Sequence, residues 1–488
     1  MGSAAVLQLV AYGAQDLYLT SQPQISYFKS VHKRHTQFAM EEVEIPIIGN
    51  IFPGSKVSVT IPKNADLLKG LNITYKPNKI IPISQNIQSI VSDLGHVLFD
   101  NLEIEIGGQL IDRHYSIWLS IWRDLTEPNP YGVQFLWASP YADELPVFNR
   151  YLEYTKALEA AQGNLGPTGV RQGEITVRQF QSPVTQYNTM AFTHLGYDRF
   201  ERGITNSSMG TLNAPTEACV PMRFWFCRHP GLALPLIALQ YHEVKFNMTF
   251  AKKSELIIPL NGYDVEKIPI DLTSVKIWAD YVYLDSPERK QFAQNAHEYL
   301  IEQVQYQSVE SENVTSVDLI FNHPVKELII TGKPRILRNT ISYNSYPEVP
   351  LLADHIDVWG KATPYPIIVN DDVTLAANST NLTLQLVFNQ NDRFSPRNLK
   401  YFTKAELYNH HTGNGSCITY DNIAVYSFAL RPEELQPSGT CNFSRIDRAK
   451  LLVGNRKSTE TLNTLNIYAI NYNVFRVMSG MGGLAYSN

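Results

Sequence analysis

Charge is scarce in this chain. Asp, Glu, Lys and Arg make up only 18% of it, against roughly 25% in ordinary soluble domains. The formal net charge of -5 gives no broad basic field, which excludes coating of nucleic acid as a role for the chain as a whole. Cysteine is nearly absent too. The four thiols, Cys219, Cys227, Cys417 and Cys441, show no CxxC spacing, so neither a structural zinc site nor a disulfide framework is indicated, and they read as small buried or semi-buried thiols. The N-terminus lacks the charged and apolar regions of a secretory signal. The longest apolar run, Leu232 to Leu239, is short and broken by proline, too short to span a bilayer. The expectation is a soluble protein made in a reducing cytoplasm.

Catalytic signatures are missing as well. His242-Glu243 and His297-Glu298 lack the second histidine of HExxH, and His410-His411 has no obvious third ligand. There is no GxxxxGK[ST] loop and no GxSxG elbow. No cofactor and no metal are expected.

What the chain does contain is strand. Val57, Val59 and Ile61 alternate with Lys56, Ser58 and Thr60, and Leu382, Leu384, Leu386 and Phe388 alternate with Asn381, Thr383 and Gln385. That period of two predicts half-buried strands with one wet face. Leu102, Ile104 and Ile106 alternate with Glu103 and Glu105 ahead of Gly107-Gly108, a pair suited to reversing the chain. With 27 Gly and 28 Pro as punctuation, the pattern predicts antiparallel sandwiches. Helical spacing occurs twice. Trp118, Ile121, Trp122 and Leu125 fall at i, i+3, i+4 and i+7 and stop before Pro128; Asn149 caps a second segment running to Gly163. Both read as connections laid over a sandwich. Long loops are expected between about 129 and 221.

A faint duplication is visible. Residues 107–116, GGQLIDRHYS, and 387–395, VFNQNDRFS, each follow an alternating strand and carry Asp-Arg and then Ser. Residues 275–287 and 465–477 are aromatic-rich strands of similar length, one closing each half. Near the C-terminus, residues 425–449 read VYSFALRPEELQPSGTCNFSRIDRA. Here Val425, Ser427 and Ala429 alternate with Tyr426, Phe428 and Leu430, placing the large apolar residues on one face. Arg431-Pro432-Glu433-Glu434 breaks the strand, its glutamates suited to the start of a helical turn. Gln436-Pro437-Ser438-Gly439 makes a second turn before the next alternation at Cys441. This is a structural corner and carries no catalytic group.

That corner resembles the C-terminal region of the major capsid proteins of nucleocytoplasmic large DNA viruses. Residues 7–41, 234–250 and 278–305 resemble the family's opening and middle segments in the same order, leaving 129–221 and about 333–380 unmatched. Leu435 and Arg448 stand where the family often has histidine and asparagine. The resemblance implies an all-β fold of two tandem eight-stranded antiparallel jelly-roll sandwiches, with long loop insertions and a few short helices. It divides the chain into an N-terminal segment beneath the shell (1–24), jelly roll 1 (25–286), a linker (287–300) and jelly roll 2 (301–488). It further implies a homotrimer forming pseudo-hexameric capsomers that tile an icosahedral shell. Minor capsid and penton proteins are the implied partners, and the virion, assembled in host cytoplasm, is the implied location.

Some residues are candidates for secondary roles. Val6, Leu7, Val10, Leu17 and Leu19, followed by the basic cluster His32-Lys33-Arg34-His35, offer an internal-membrane or partner contact through the N-terminal segment, against the plainer reading of a solvated strand end. Eight Asn-X-Ser/Thr sequons occur, at Asn72, Asn206, Asn247, Asn313, Asn378, Asn381, Asn414 and Asn442. Asn206, Asn378 and Asn381 sit in loop-like sequence and are the candidate glycosylation positions. Jelly rolls also host carbohydrate-binding proteins and glycan-active enzymes. Glu103 and Glu105 on one strand face would be the carboxylate pair of such an enzyme, although glycosidase pairs usually come from different strands across a cleft, and a solvated or interfacial face is the plainer reading.

Overall fold

The computed structural model describes residues 13–30, 32–76, 80, 87–90, 94–126, 218–259, 264–310, 315–332, 335–337, 340–342, 382–413, 423–454 and 464–486. The chain divides into two units, residues 1–38 and 39–488. In the first, one helical turn, Leu17–Thr20, is followed by irregular chain on which Leu17, Tyr18, Leu19, Ile25, Tyr27 and Phe28 are exposed.

Antiparallel sheet dominates the second unit. Its first set of strands is β1 (Phe38–Ile45), β2 (Lys56–Thr60), β3 (Leu67–Tyr75), β4 (Phe99–Ile106), β5 (Gln109–Tyr115), β6 (Ala218–Pro221), β7 (Val244–Phe250) and β8 (Lys276–Leu284). They form two sheets, in the orders 1-8-3-6 and 2-7-4-5. Helix α1 (Ser116–Thr126) follows β5, and α2 (Ser286–Gln294) connects to the second set. That set is β9 (His297–Glu310), β10 (Ser316–Asp318), β11 (Pro324–Gly332), β12 (Thr383–Phe388), β13 (Asn391–Asp392), β14 (Ile423–Ser427), β15 (Ala449–Gly454) and β16 (Thr464–Met478). Its sheets run 9-16-11-14 and 10-15-12-13. Adding eight to every strand of the first set reproduces the second. Each set is therefore a jelly roll, two sheets between which the chain crosses repeatedly, with the fourth and fifth strands pairing as a hairpin within one sheet and shorter strands such as Leu234–Pro235 extending the walls. A final hairpin strand, β17 (Met481–Leu484), pairs with β16.

The duplicated sequence patterns fall on equivalent strands. Gly107-Gly108 joins β4 to β5, and Asn389-Gln390 joins β12 to β13, the same hairpin in each roll. Both turns hold both residues at positive φ, 59° and 83° in the first and 49° and 68° in the second, as two-residue hairpins matching strand twist require. The two aromatic-rich strands are β8 and β16, the eighth of each roll.

Alternation places the core as expected. Val57, Val59 and Ile61 are buried while Lys56, Ser58 and Thr60 are exposed; Leu382, Leu384, Leu386 and Phe388 are buried too, but the polar face expected between them is not wet, since Gln385 is buried and Thr383 half-buried. In α1 the stripe Trp118, Ile121, Trp122 and Leu125 is buried. The segment from Asn149 to Gly163 lies outside the described residues.

A second sheet departs from the one-wet-face expectation. In register across β14, β11 and β16, the row Val425, Ile329, Tyr468 belongs to a core shared with roll 1, whereas the next row, Ala424, Ile330, Ile467, belongs to the core of roll 2. The centre of the sheet 9-16-11-14, residues 325–331 of β11 and 465–473 of β16, is buried on both faces because roll 1 covers its outer side, while Leu300, Tyr306 and Ser308 on the edge strand β9 are exposed. Leu328, Ile329 and Ile330 run consecutively apolar for the same reason. The strand at 423–427 follows suit, so the sorting of its large residues onto one face is corrected: Val425 is fully buried and Leu430, beyond the strand's end, is exposed. The Arg431–Glu434 segment is a turn without helix.

Replacing Ile329 with alanine removes packing from the seam between the rolls and is expected to cost about 2–5 kcal/mol. Ile320→Ala, at an exposed position, is expected to change stability by less than about 0.5 kcal/mol. Urea titration of the two variants checks the contrast.

Candidate functional site

In a protein built of two sandwiches, the site to examine is where they meet. The free edge of β9 lies along β5. Asp112 on β5 accepts from the Val304 N–H at 3.2 Å, and the Gln303 side-chain amide donates to the Ile111 carbonyl. One backbone group on each sheet edge is thereby satisfied from the other roll. Aromatic rings continue the seam. Tyr306 packs 4.6 Å from Tyr115 and 4.9 Å from Tyr468, and Trp118 lies 5.5 Å from Tyr468. At the far end, the Gln109 side chain accepts from Leu484 N–H on β17, and Tyr241 N–H donates to the Gly480 carbonyl.

Charge is concentrated at this seam. Lys326, fully buried, sits at a register shift in β11, where Val325 faces Asn471 and Glu327 faces Ile470. That bulge leaves Lys326 without a partner on β16 and re-aims it. Its ammonium pairs with Glu302 on β9 at 2.8 Å, donates to the Pro432 carbonyl at 2.5 Å, and lies 5.8 and 5.7 Å from the Trp122 and Tyr472 rings. Arg228, from roll 1, pairs with the same Glu302 and stacks 4.9 Å over Trp122. Burial alone would raise the Glu302 carboxyl, but the two cations outweigh it and hold it below its ordinary value. Burial likewise depresses the Lys326 ammonium, against the pull of Glu302.

The C-terminal corner closes the arrangement. Glu433 accepts from the Thr412 N–H at 3.0 Å and hydroxyl at 2.7 Å, and lies 2.9 Å from His411 Nδ1. It does not start a helical turn, as its position after Pro432 suggested, but reaches across to a neighbouring loop. Gly439, at φ +136°, allows the second turn to fold back: a Cβ there would stand 2.8 Å from the Phe428 carbonyl. The corner's role is to bring the Pro432 carbonyl and Glu433 carboxylate to the seam.

The residues singled out from sequence lie elsewhere. Asn206, Asn378 and Asn381 fall outside the described residues, as do Asn313 and Asn414. Asn247 is buried and donates to Glu105, while Asn442 is exposed and caps Ser444 N–H. Glu103 is not on a wet face: it is buried between Lys56 and Arg113 at 3.1 and 2.7 Å, so Glu103 and Glu105 serve structural pairs. Burial pushes the Cys227 thiol up to about 12, which keeps it from acting as a thiolate. Among the described residues no group of three or more His, Cys, Asp or Glu is placed to hold a metal ion. Of the seam charges, the sequence marks His411 only as a metal-ligand candidate and Glu433 only as a turn residue. Arg228, Glu302 and Lys326 go unmarked, their one signal being Lys326-Glu327 inside an apolar strand.

Comparison with known proteins gives this architecture its setting. Residues 26–131 and 179–285 match the major capsid protein N-terminus family, and residues 288–483 match the large eukaryotic DNA virus major capsid protein family. The chain is 36% identical to the major capsid protein of Pyramimonas orientalis virus, covering 99% of both chains. The chain belongs to the major capsid proteins of large eukaryotic DNA viruses. It is also 34% identical to the major capsid protein of Paramecium bursaria Chlorella virus 1 over 99% of each chain. Among solved structures, the PBCV-1 capsid protein VP54 superposes with a TM-score of 0.65 at 29% identity, over 95% of this chain and 100% of that one. The Faustovirus major capsid protein shares the fold with a TM-score of 0.59 at 10% identity, over 96% and 95%. The relatives are structural proteins of virus shells, and as a capsid protein this chain works by geometry instead of catalysis.

The seam charges make a sharp test. Glu302→Gln leaves Lys326 and Arg228 buried without their carboxylate and is expected to cost about 3–5 kcal/mol. Because the Glu302 carboxyl is held below its ordinary 4.5, its contribution is full above that value and is lost as pH falls through the lower folded one. Thermal unfolding from pH 3 to 7 is expected to show an acid-side fall in the wild type that is reduced in Glu302→Gln.

Proposed function

We propose that this capsid protein forms homotrimeric, pseudo-hexameric capsomers that tile an icosahedral shell. The observation that carries the reading is the repeated strand order, two like sandwiches held in one compact unit by a shared core. Three such chains present six similar blocks around a threefold axis. A threefold object then fills sixfold positions in a closed lattice, where heterologous contacts repeat without running into fibres. A permanent trimer interface buries about 2,000–5,000 Å² or more, and contacts between capsomers are smaller, so misplaced units leave before closure.

On this reading the functional division is an N-terminal segment of residues 1–24, roll 1 over 25–286, a linker over 287–300 and roll 2 over 301–488. Two family matches meeting between residues 285 and 288 support it, with α2 lying in the linker. The exposed Leu17, Tyr18 and Leu19 support a contact of the N-terminal segment with an internal membrane or with minor capsid proteins beneath the shell, the penton protein filling the fivefold positions. Synthesis and assembly take place in host cytoplasm, and the glycosylation candidates remain Asn206, Asn378 and Asn381, which intact-mass measurement tests.

Light scattering coupled to size exclusion is expected to give three times the 55.3 kDa chain mass, unchanged on dilution, and a monomer overturns the trimer. Deleting residues 1–24 is expected to leave trimers intact while impairing shell assembly. Loss of trimers on that deletion refutes the division of labour.

A further inference from the structure

His411 lies between two carboxylates from different parts of roll 2. Its Nε2 is 3.0 Å from Glu327 on β11, and its Nδ1 is 2.9 Å from Glu433 at the C-terminal corner. The Glu433 contact is an aligned hydrogen bond, whereas the Glu327 contact is close but poorly aligned, and is best described as an ion pair. His411 and Glu327 side chains are fully buried. A neutral imidazole carries one N–H and one lone pair, so with carboxylates at both nitrogens it would hold a lone pair against a negative oxygen. Only the imidazolium suits both.

The charge balance of the ion pairs around His411 gives the same answer. Among the described residues, Arg228 and Lys326 are the cations of this cluster besides His411, and Glu302, Glu327 and Glu433 its carboxylates. With His411 protonated the set is neutral; without that proton it holds an uncompensated buried negative charge. Among the described residues, other titratable groups nearby have partners of their own, and Asp112 pairs with His114 at 3.0 Å. Glu406 accepts from Tyr401 and lies 3.6 Å from His410, and Tyr472 faces Lys326.

The loop bearing His411 also grips the other roll. Gly413 N–H donates to the Leu125 carbonyl of α1 at 2.7 Å. The Thr412 hydroxyl lies 3.0 Å from the Thr126 carbonyl and 2.7 Å from Glu433, so its single proton serves the carboxylate.

We propose that His411 is a proton-dependent latch: as imidazolium it fastens the C-terminal corner and β11 together and holds loop 411–413 on helix α1 of roll 1, and loss of its proton releases that hold. Burial alone would lower its pKa, but Glu327 and Glu433 raise it to about 9. The sign follows from the raised value. The latch is fully closed below the ordinary 6.5 and weakens as pH rises towards 9, so the seam tolerates mild acid and loosens in alkali.

Hydrogen exchange at Gly413, corrected for the intrinsic base-catalysed rate, tests this on the full-length protein. The opening constant is expected to rise roughly a hundredfold between pH 6.5 and 9 in the wild type, and to be nearly flat over that range in His411→Gln. Wild-type protection independent of pH overturns the latch, and so does a His411→Gln variant with the wild-type profile. Should that variant fail to fold, Glu433→Gln, which keeps the Glu327 pair, is expected to move the midpoint of opening to lower pH. An unmoved midpoint overturns the proposal equally.

Discussion

The fold is organised around a sheet whose central strands have no wet face. Strands β11 and β16 carry the core of roll 2 on one side and the apolar surface of roll 1 on the other. Water is excluded there, so a polar group left without a partner inside the protein is costly. The Gln303 amide meets that demand with the Ile111 carbonyl and with Asn473, and Asp112 meets it with a backbone N–H of β9.

Placing charges in such a seam does little for net stability, since the desolvation of three cations and three carboxylates opposes their attraction. What it supplies is a fixed register. An apolar seam tolerates sliding, because one aliphatic contact replaces another at little loss. Arg228 and Lys326 converging on Glu302 tolerate none, because a shift leaves a buried charge unpaired. For a shell protein this matters more than raw stability. An angular error between the rolls is repeated in every copy, and a closed lattice accumulates it.

The C-terminal corner shows how a segment without catalytic chemistry is constrained. Pro432 and Gly439 shape it, and through them a carbonyl and a carboxylate are delivered to Lys326 and His411. Its second turn depends on one glycine at positive φ. Sequence alone reads such residues as turn-formers, and so they are, but the turns also carry a ligand for Lys326, more than a hundred residues away in the chain, and one for His411.

The sequence by itself determined strands, the Gly107-Gly108 hairpin and the duplication, because these rest on local rules: period-two alternation at Val57, Val59 and Ile61, a glycine pair suited to a tight turn, and the shared Asp-Arg and Ser after an alternating strand. It also disclosed the family, since ordered blocks of residues survive where the fold constrains them. What only the tertiary structure decided was the second face of the sheet 9-16-11-14, and with it the burial of Val425, the pairing of Lys326 with Glu302 and Arg228, and the place of His411 between Glu327 and Glu433. Alternation reports that a strand has one apolar face; it is silent on what covers the other. That covering comes from residues far away in the chain, brought together only when one sandwich docks on the next.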